Sequence, residues 1–193
     1  MTESEREKLR SCHLPKKIIV VGTSGCGKTT FCRKLSQTLS IPHIELDALF
    51  WQSNWVQVPK EIFHERISQA TEGATWILDG NWSGNKEDVL KEKILELADT
   101  FIWLDYSFPL IFWRGFSRTI RRAIFQEKLW AGNTESLRQT FFSKNSMLWW
   151  MVKTYSMRKK QYSAMLSNPS YQHLKGIRLT NPKQTERYLS QIK

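Results

Sequence analysis

The eight residues Gly22-Thr23-Ser24-Gly25-Cys26-Gly27-Lys28-Thr29 match G-x-x-x-x-G-K-[ST] at every fixed position, and they limit the fold more than any other stretch. The pattern requires a strand before it and a helix after it. Both are predicted: Lys17-Ile18-Ile19-Val20-Val21 has the continuous apolar character of a strand buried on both faces, and Thr29-Thr30-Phe31-Cys32-Arg33-Lys34-Leu35 opens a helix. In such a turn successive backbone N–H groups point inward, the helix N-terminus adds partial positive charge, and glycines adopt angles that a side chain forbids. The expected ligand is a polyphosphate held between Gly22 and Thr30, with Lys28 on its terminal phosphates and the Thr29 hydroxyl on Mg²⁺.

Further strands follow in alternation with helices. Leu39-Ser40-Ile41-Pro42 interrupts the helical pattern, and His43-Ile44-Glu45-Leu46 reads as a short strand ending at Asp47. Ligands of open α/β sheets bind beyond the C-terminal edges of the strands, which places Asp47 on the same rim as the loop. There a carboxylate can take a proton from an attacking hydroxyl or hold a water on Mg²⁺; it can also simply cap the segment Ala48-Leu49-Phe50-Trp51. Pro59 opens a helix predicted from Lys60 to Glu72, closed by Gly73, and Trp51 and Trp55 before it form either a wall for a base or sugar or the packing of a small subdomain. Thr75-Trp76-Ile77-Leu78-Asp79 is the third predicted strand. Asp79 at its end has the placement of an Mg²⁺-water ligand, with a turn role as the alternative. A helix is expected from Asn85 to Ala98, a strand at Thr100–Leu104, a fifth at Gly176–Thr180, and a last helix from Asn181-Pro182 onward.

Between the fourth and fifth strands the chain turns basic. Residues 1–109 carry 13 Lys and Arg against 15 Asp and Glu, whereas residues 110–193 carry 16 against 3, so the net charge of +11 belongs to the second half. Such a field draws polyanions: nucleotides, nucleic acid or an anionic membrane surface. Arg114, Arg118, Arg121 and Arg122 recur at helical spacing, so Arg114, Arg118 and either Arg121 or Arg122 share a face, where guanidinium groups suit a transferring phosphoryl group. Ala131-Gly132-Asn133 has the composition of a mobile tip, and a lid is expected at about residues 114–140. The segment Glu135–Leu166 is helical in pattern and aromatic (Phe141, Phe142, Trp149, Trp150, Tyr155, Tyr162). Its interleaved Lys144, Lys153, Arg158, Lys159 and Lys160 also fit a nucleic-acid stacking platform. Cys12, Cys26 and Cys32 lack metal-site spacing, no apolar run reaches membrane-spanning length, and the first residues lack an apolar signal core. The expectation is a cytoplasmic monomer or homodimer, with an arm at residues 1–15 and one domain at 16–193 that needs no membrane. Cys26, beside Lys28 and a helix N-terminus, also sits where a thiolate is favoured, which raises the idea of redox control.

The loop, Leu46-Asp47-Ala48-Leu49-Phe50-Trp51, Trp76-Ile77-Leu78-Asp79-Gly80-Asn81, Ile102-Trp103-Leu104-Asp105 and the arginine series together resemble the adenylate-kinase-like P-loop proteins. Within them the chain is similar to the group labelled DNA topology modulation proteins, over roughly residues 16 to 190. The resemblance implies a three-layer α/β fold with a five-stranded parallel sheet and a helical lid region, ATP and Mg²⁺ as cofactors, and phosphotransfer to a nucleotide, nucleoside or other small hydroxyl acceptor. It implies ATP contacts for Lys28 and Thr29, the place of the DGFPR aspartate for Asp79, lid roles for Arg118 and Arg121 or Arg122, and an adenine-side position for the loop Asn181–Lys183. Ser83 stands where adenylate kinases carry the arginine that grips an acceptor monophosphate, and no arginine occurs between Arg66 and Arg114. An uncharged hydroxyl acceptor facing Asp47 is therefore the expectation. The other reading is a nucleic-acid-associated regulator that uses the nucleotide as a switch.

Overall fold

The structure, a computed structural model, describes residues 14–81, 89–134 and 147–192. Five strands, β1 (Lys17–Gly22), β2 (His43–Glu45), β3 (Trp76–Asp79), β4 (Thr100–Leu104) and β5 (Lys175–Leu179), form one parallel sheet in the order β2-β3-β1-β4-β5. Every pairing is parallel: Val20 of β1 stands opposite Asp79 on one side and Ile102 on the other.

The apolar run in β1 explains its central position. Ile18, Ile19, Val20 and Val21 are all essentially inaccessible to solvent, each side chain contributing about 1.5–3 kcal/mol by burial. Because strand side chains alternate, Ile18 and Val20 join one core while Ile19 and Val21 join the other. The first core is closed by Phe31, Cys32 and Leu35 of helix α1 (Lys28–Leu39) and by Tyr188 and Leu189 of the C-terminal helix. The second is closed by Ile67 of a helix over Lys60–Ala70 and Ile94 and Leu95 of one over Val89–Leu97. The sheet is thus sandwiched between helical layers, as expected from alternating strands and helices. The chain passes from β1 to the β2 edge, returns through β3, and then crosses to β4, so the crevice opens beyond the C-terminal end of β1.

The remaining helices, numbered in chain order, are α2 (Leu46–Phe50), α3 (Lys60–Ala70), α4 (Val89–Leu97), α5 (Phe108–Phe125), α6 (Met147–Leu166) and α7 (Pro182–Gln191). Helix α5 buries Ile111, Gly115, Thr119 and Ala123 at four-residue intervals, a narrow stripe of mostly small side chains. This lets α6 approach closely: a Cβ at Gly115 would lie 2.6 Å from Met151 Cε. Arg114 to Phe125, expected in the lid, therefore belongs to a continuous helix packed against α6. The predicted N-terminal arm up to residue 13 with Cys12, the segment 82–88 with Trp82 and Ser83, and residues 135–146 with Phe141, Phe142 and Lys144 lie outside the described residues. No described helix is long and apolar enough to cross a membrane.

Candidate functional site

The glycine loop joins β1 to α1 through two left-handed residues, Gly25 (φ 88°) and Gly27 (φ 94°), the latter at the N-cap of α1. A side chain at Gly25 would drive its Cβ to 2.5 Å from the Ile111 carbonyl, whereas the Cβ direction at Gly27 meets open space. The loop is closed on itself by Cys26 N–H donating to the Thr23 carbonyl (3.1 Å), and the first N–H groups of α1, from Lys28 to Thr30, have no intrahelical acceptor. Thr23 and Cys26 are buried, Ser24 is half-buried, and Thr30 is exposed on the first turn of α1. Lys28 Nζ donates to the Gly22 carbonyl at 2.9 Å, folded back over the turn. A cation, a helix N-terminus and an open glycine cradle meet here, and they fit a polyphosphate.

Thr29 Oγ1 donates to Asp79 Oδ2 at 2.7 Å. Asp79 ends β3, is almost fully buried, and lies in register with Val20 and Glu45. A hydroxyl at the foot of the phosphate loop hydrogen-bonded to a buried carboxylate is a hard-oxygen pair suited to Mg²⁺. His43 Nε2 approaches the same carboxylate at 3.5 Å, and with Cys32 these donor atoms lie within 4.8 Å of one another. Cys32 is a poor metal ligand as it stands, because burial and the Asp79 charge push its thiol well up and keep it protonated. The oxygen pair therefore fits a metal better than the thiol set.

Asp47 is placed differently from the prediction. It lies inside α2, whose N-cap is Glu45, so it neither ends β2 nor caps the helix. It is open to solvent yet set deep enough among protein atoms that desolvation pushes its carboxyl above the usual value; Lys28 and Arg158 oppose that rise and Asp79 and Glu45 reinforce it. A carboxyl raised by desolvation beside a lysine of the phosphate loop is a candidate for proton exchange with a ligand.

The arginine series divides. Arg118 is half-buried and close enough to the loop to act on Cys26. Arg122 is half-buried one turn further along, whereas Arg121 faces solvent and pairs with Glu127 at 3.0 Å. Arg114 is exposed and lies over the Tyr106 ring. Of the two alternatives it is thus Arg122 that shares the side of Arg118. For Cys26 the geometry favours an inert spacer over redox control: burial pushes its thiol up more than Lys28 lowers it.

Beside α2, residues 130–133 do not form a free tip. Asn133 Nδ2 donates to the Gln52 and Trp130 carbonyls (2.8 Å each), its Oδ1 accepts from Trp55 N–H (2.9 Å), and Trp55 Nε1 donates to the Thr134 carbonyl (3.1 Å). Trp130 Nε1 donates to Glu45 at 3.0 Å. These bonds fasten the Ser53–Trp55 turn, where Trp51 and Trp55 meet edge to face, onto the chain after α5. Asn181 caps α7 through its side chain, which accepts from Gln184 N–H at 3.0 Å.

Three residues that sequence reasoning did not single out for the site also border it. Asn81 Oδ1 accepts from Gly22 N–H (3.1 Å) and from the Tyr162 hydroxyl (2.9 Å), tying α6 to the loop. Arg158, expected on an open basic face, is instead 5% exposed, with its guanidinium over Trp150. The signal available was the stripe Met151, Thr154, Arg158 and Tyr162, whose helical spacing matches the buried side of α6.

Comparison with known proteins agrees with this geometry at the level of fold. The family model described as "Ethanolamine utilisation - propanediol utilisation" (PduV-EutP) matches residues 15–73, the span from the strand before the loop through α3. No curated protein matches the sequence. A shikimate kinase from Acinetobacter baumannii in complex with shikimate is similar over 93% of this chain and 91% of its own, at 16% identity and a TM-score of 0.55. A shikimate kinase from Bacteroides thetaiotaomicron is similar over 92% and 96%, at 14% identity and TM-score 0.52. A gluconokinase from Sinorhizobium meliloti is similar over 93% and 94%, at 16% identity and TM-score 0.50. At such identities what is shared is the architecture, and the chain has the nucleoside-kinase-like P-loop fold with its five-stranded parallel sheet.

Proposed function

We propose that this protein is an ATP-dependent phosphotransferase that phosphorylates a hydroxyl group of a small molecule. The observation that carries the reading is the convergence at one rim of a phosphate-loop lysine, a Thr29–Asp79 oxygen pair and a second, elevated carboxyl at Asp47. In a protein that only binds nucleotide, the first two suffice. The third supplies what transfer to a hydroxyl adds: a group to orient the acceptor and receive its proton.

Bound ATP with Mg²⁺ supplies the phosphoryl group and a counter-charge for it. The chain's own residues do the rest in this reading. The loop N–H groups and Lys28 hold the phosphates, Thr29 and Asp79 hold the metal, and Asp47 aligns the acceptor hydroxyl and takes its proton. Arg118, with Arg122 behind it, offsets charge on the transferring group. The similarity to small-molecule kinases, including one crystallised with shikimate, supports a small acceptor in place of a polymer. The nucleic-acid reading is weakened because several cations of the basic half are already engaged or buried. Arg121 and Arg122 face Glu127, Arg178 and Lys159 face Asp105, and Arg158 is buried.

The test is an ATP-consumption screen over nucleosides, nucleoside monophosphates, sugars and hydroxy acids, with an acceptor-free control and the Asp47→Asn variant. Acceptor-dependent turnover lost in Asp47→Asn is the expected result. ATP binding without turnover on any acceptor, combined with duplex or single-strand binding that weakens steeply with salt, would replace this reading by the regulatory one.

A further inference from the structure

Helix α6 presents Met151, Thr154, Arg158 and Tyr162 to the interior, and a charged residue in the middle of that stripe requires an explanation. The stripe runs along the nucleotide rim. Met151 lies against the loop, since a Cβ at Gly25 would meet its Cε at 3.3 Å. Tyr162, one turn beyond Arg158, reaches Asn81, which in turn holds Gly22. Arg158 lies on the same face between these two anchors, and its guanidinium is packed over the Trp150 ring at 6.0 Å.

Two of the guanidinium nitrogens, Nε and Nη1, are buried without a hydrogen-bond partner. No carboxylate among the described residues lies within 4.0 Å of Arg158. A buried cation with unsatisfied donors is strongly unfavourable by itself, and proteins keep such groups where a ligand completes them. The Tyr162 hydroxyl is the polar neighbour of the guanidinium on its own helix, and Asp47 is near enough to feel the Arg158 charge but does not pair with it.

We infer that Arg158 is the acceptor-anchoring residue, and that the acceptor carries a carboxylate or phosphate in addition to the hydroxyl that meets Asp47. The inference rests on the phosphotransferase reading for the role of Asp47, but anion binding at Arg158 is separable from it. It reverses the expectation of an uncharged acceptor drawn from Ser83: the anchoring cation comes from α6, 75 residues further along the chain. An anchor of this kind selects strongly, because a neutral analogue leaves the buried guanidinium unsatisfied again.

The experiment is calorimetric titration of the full chain, saturated with a non-hydrolysable ATP analogue, with matched pairs: D-glycerate against glycerol, D-gluconate against D-glucitol, and AMP against adenosine. Acetate and inorganic phosphate serve as minimal anions. The carboxylate pairs and the phosphate pair separate the two sources of negative charge. The expected result is that the charged member of at least one pair binds about 30-fold or more tightly than its neutral partner, and that Arg158→Met erases the difference. Arg158→Lys should restore part of it. ATP-analogue affinity should stay at the wild-type value and Tm should be unchanged or higher, since Met removes an unsatisfied buried charge.

A marked fall in Tm in Arg158→Met, with charged and neutral ligands weakened alike, would make Arg158 structural and overturn the inference. So would the absence of any Arg158-dependent anion binding, or equal use of neutral and charged acceptors by the wild type. Arg158-dependent anion binding without phosphoryl transfer would uphold the anchor while overturning the phosphotransferase reading.

Discussion

The two sides of the cleft are built by different means. On the phosphate side, eight consecutive residues from the end of β1 to the start of α1 supply the glycine cradle, the Lys28 cation and the Thr29 hydroxyl, which Asp79 meets from β3. On the side proposed for the acceptor, Asp47 comes from α2, Asn81 from the end of β3, Arg158 and Tyr162 from α6, and the clasp from Gln52, Trp55 and Asn133. A site made from one local stretch is held by backbone geometry alone. One made from four elements is only as well placed as the packing between them, and the same packing lets its chemistry vary while the sheet stays constant.

The contrast can be broken most directly at Lys28. Lys28→Met should reduce transfer by about 10³-fold or more while circular dichroism and Tm remain those of the wild type, because among the described residues the side chain bonds only to the Gly22 carbonyl. Turnover within threefold of wild type would remove the phosphate side from the mechanism. Next in size comes the arginine pair. Arg118→Ala should lower kcat by about 10³-fold, whereas Arg121→Ala, in the exposed pair with Glu127, should change it by less than about threefold. Equal effects would mean that the inward turn of Arg118 has no catalytic meaning.

Asp47 sharpens the comparison through pH. Its carboxyl is held above the ordinary value of 3.8 by desolvation among the surrounding protein atoms. The folded chain therefore binds that proton more tightly than the unfolded chain does. Stability falls as pH rises from 3.8 through the elevated folded value, and the loss persists above it. Asp47→Asn should accordingly raise Tm at pH 7 while lowering kcat by about 10²- to 10⁴-fold. In the wild type, the acid limb of kcat/KM should lie above the ordinary carboxylate range. A Tm lowered by this substitution would show that Asp47 is structural.

The smallest effect is expected at the clasp. Asn133→Ala leaves the Gln52 carbonyl and the Trp55 N–H without their partner and should cost about 1–3 kcal/mol in denaturant unfolding. It should raise KM for the acceptor and leave KM for ATP unchanged. An equal rise in both would mean that the two sides of the cleft are mechanically one.

How much of this was legible in the chain follows the same division. Ile18 to Val21 and Trp76 to Leu78 are buried on both faces, and strands of that kind announce themselves as unbroken apolar runs. The glycine loop and the place of Asp79 at the end of β3 were legible because the motif fixes its residues and an apolar strand ends visibly at a carboxylate. Arg158 was not, since in sequence it is one cation among Lys153, Lys159 and Lys160, and only the rotation of α6 against Gly25 and Asn81 turns it inward. Arg121 and Arg122 are adjacent, and a step of one residue around a helix decides which is half-buried on the side of Arg118 and which faces solvent. For Cys26 the neighbours pointed to a thiolate, but burial, invisible in the sequence, outweighed them. Ala131-Gly132-Asn133 read as a hinge because composition reports turns and is silent on what a turn is bonded to.

The sequence by itself determined the sheet, the glycine-loop pattern and the placing of Thr29 and Asp79 on one rim, because these depend on residue type and on spacing within one or two adjacent elements. The tertiary structure alone decided the state of Cys26, the fastening of the tryptophan turn, the choice between Arg121 and Arg122, and the delivery of Arg158 to the side of Asp47. Each of these depends on desolvation or on contact between residues far apart in the chain, and both are created only when helices pack against the finished sheet.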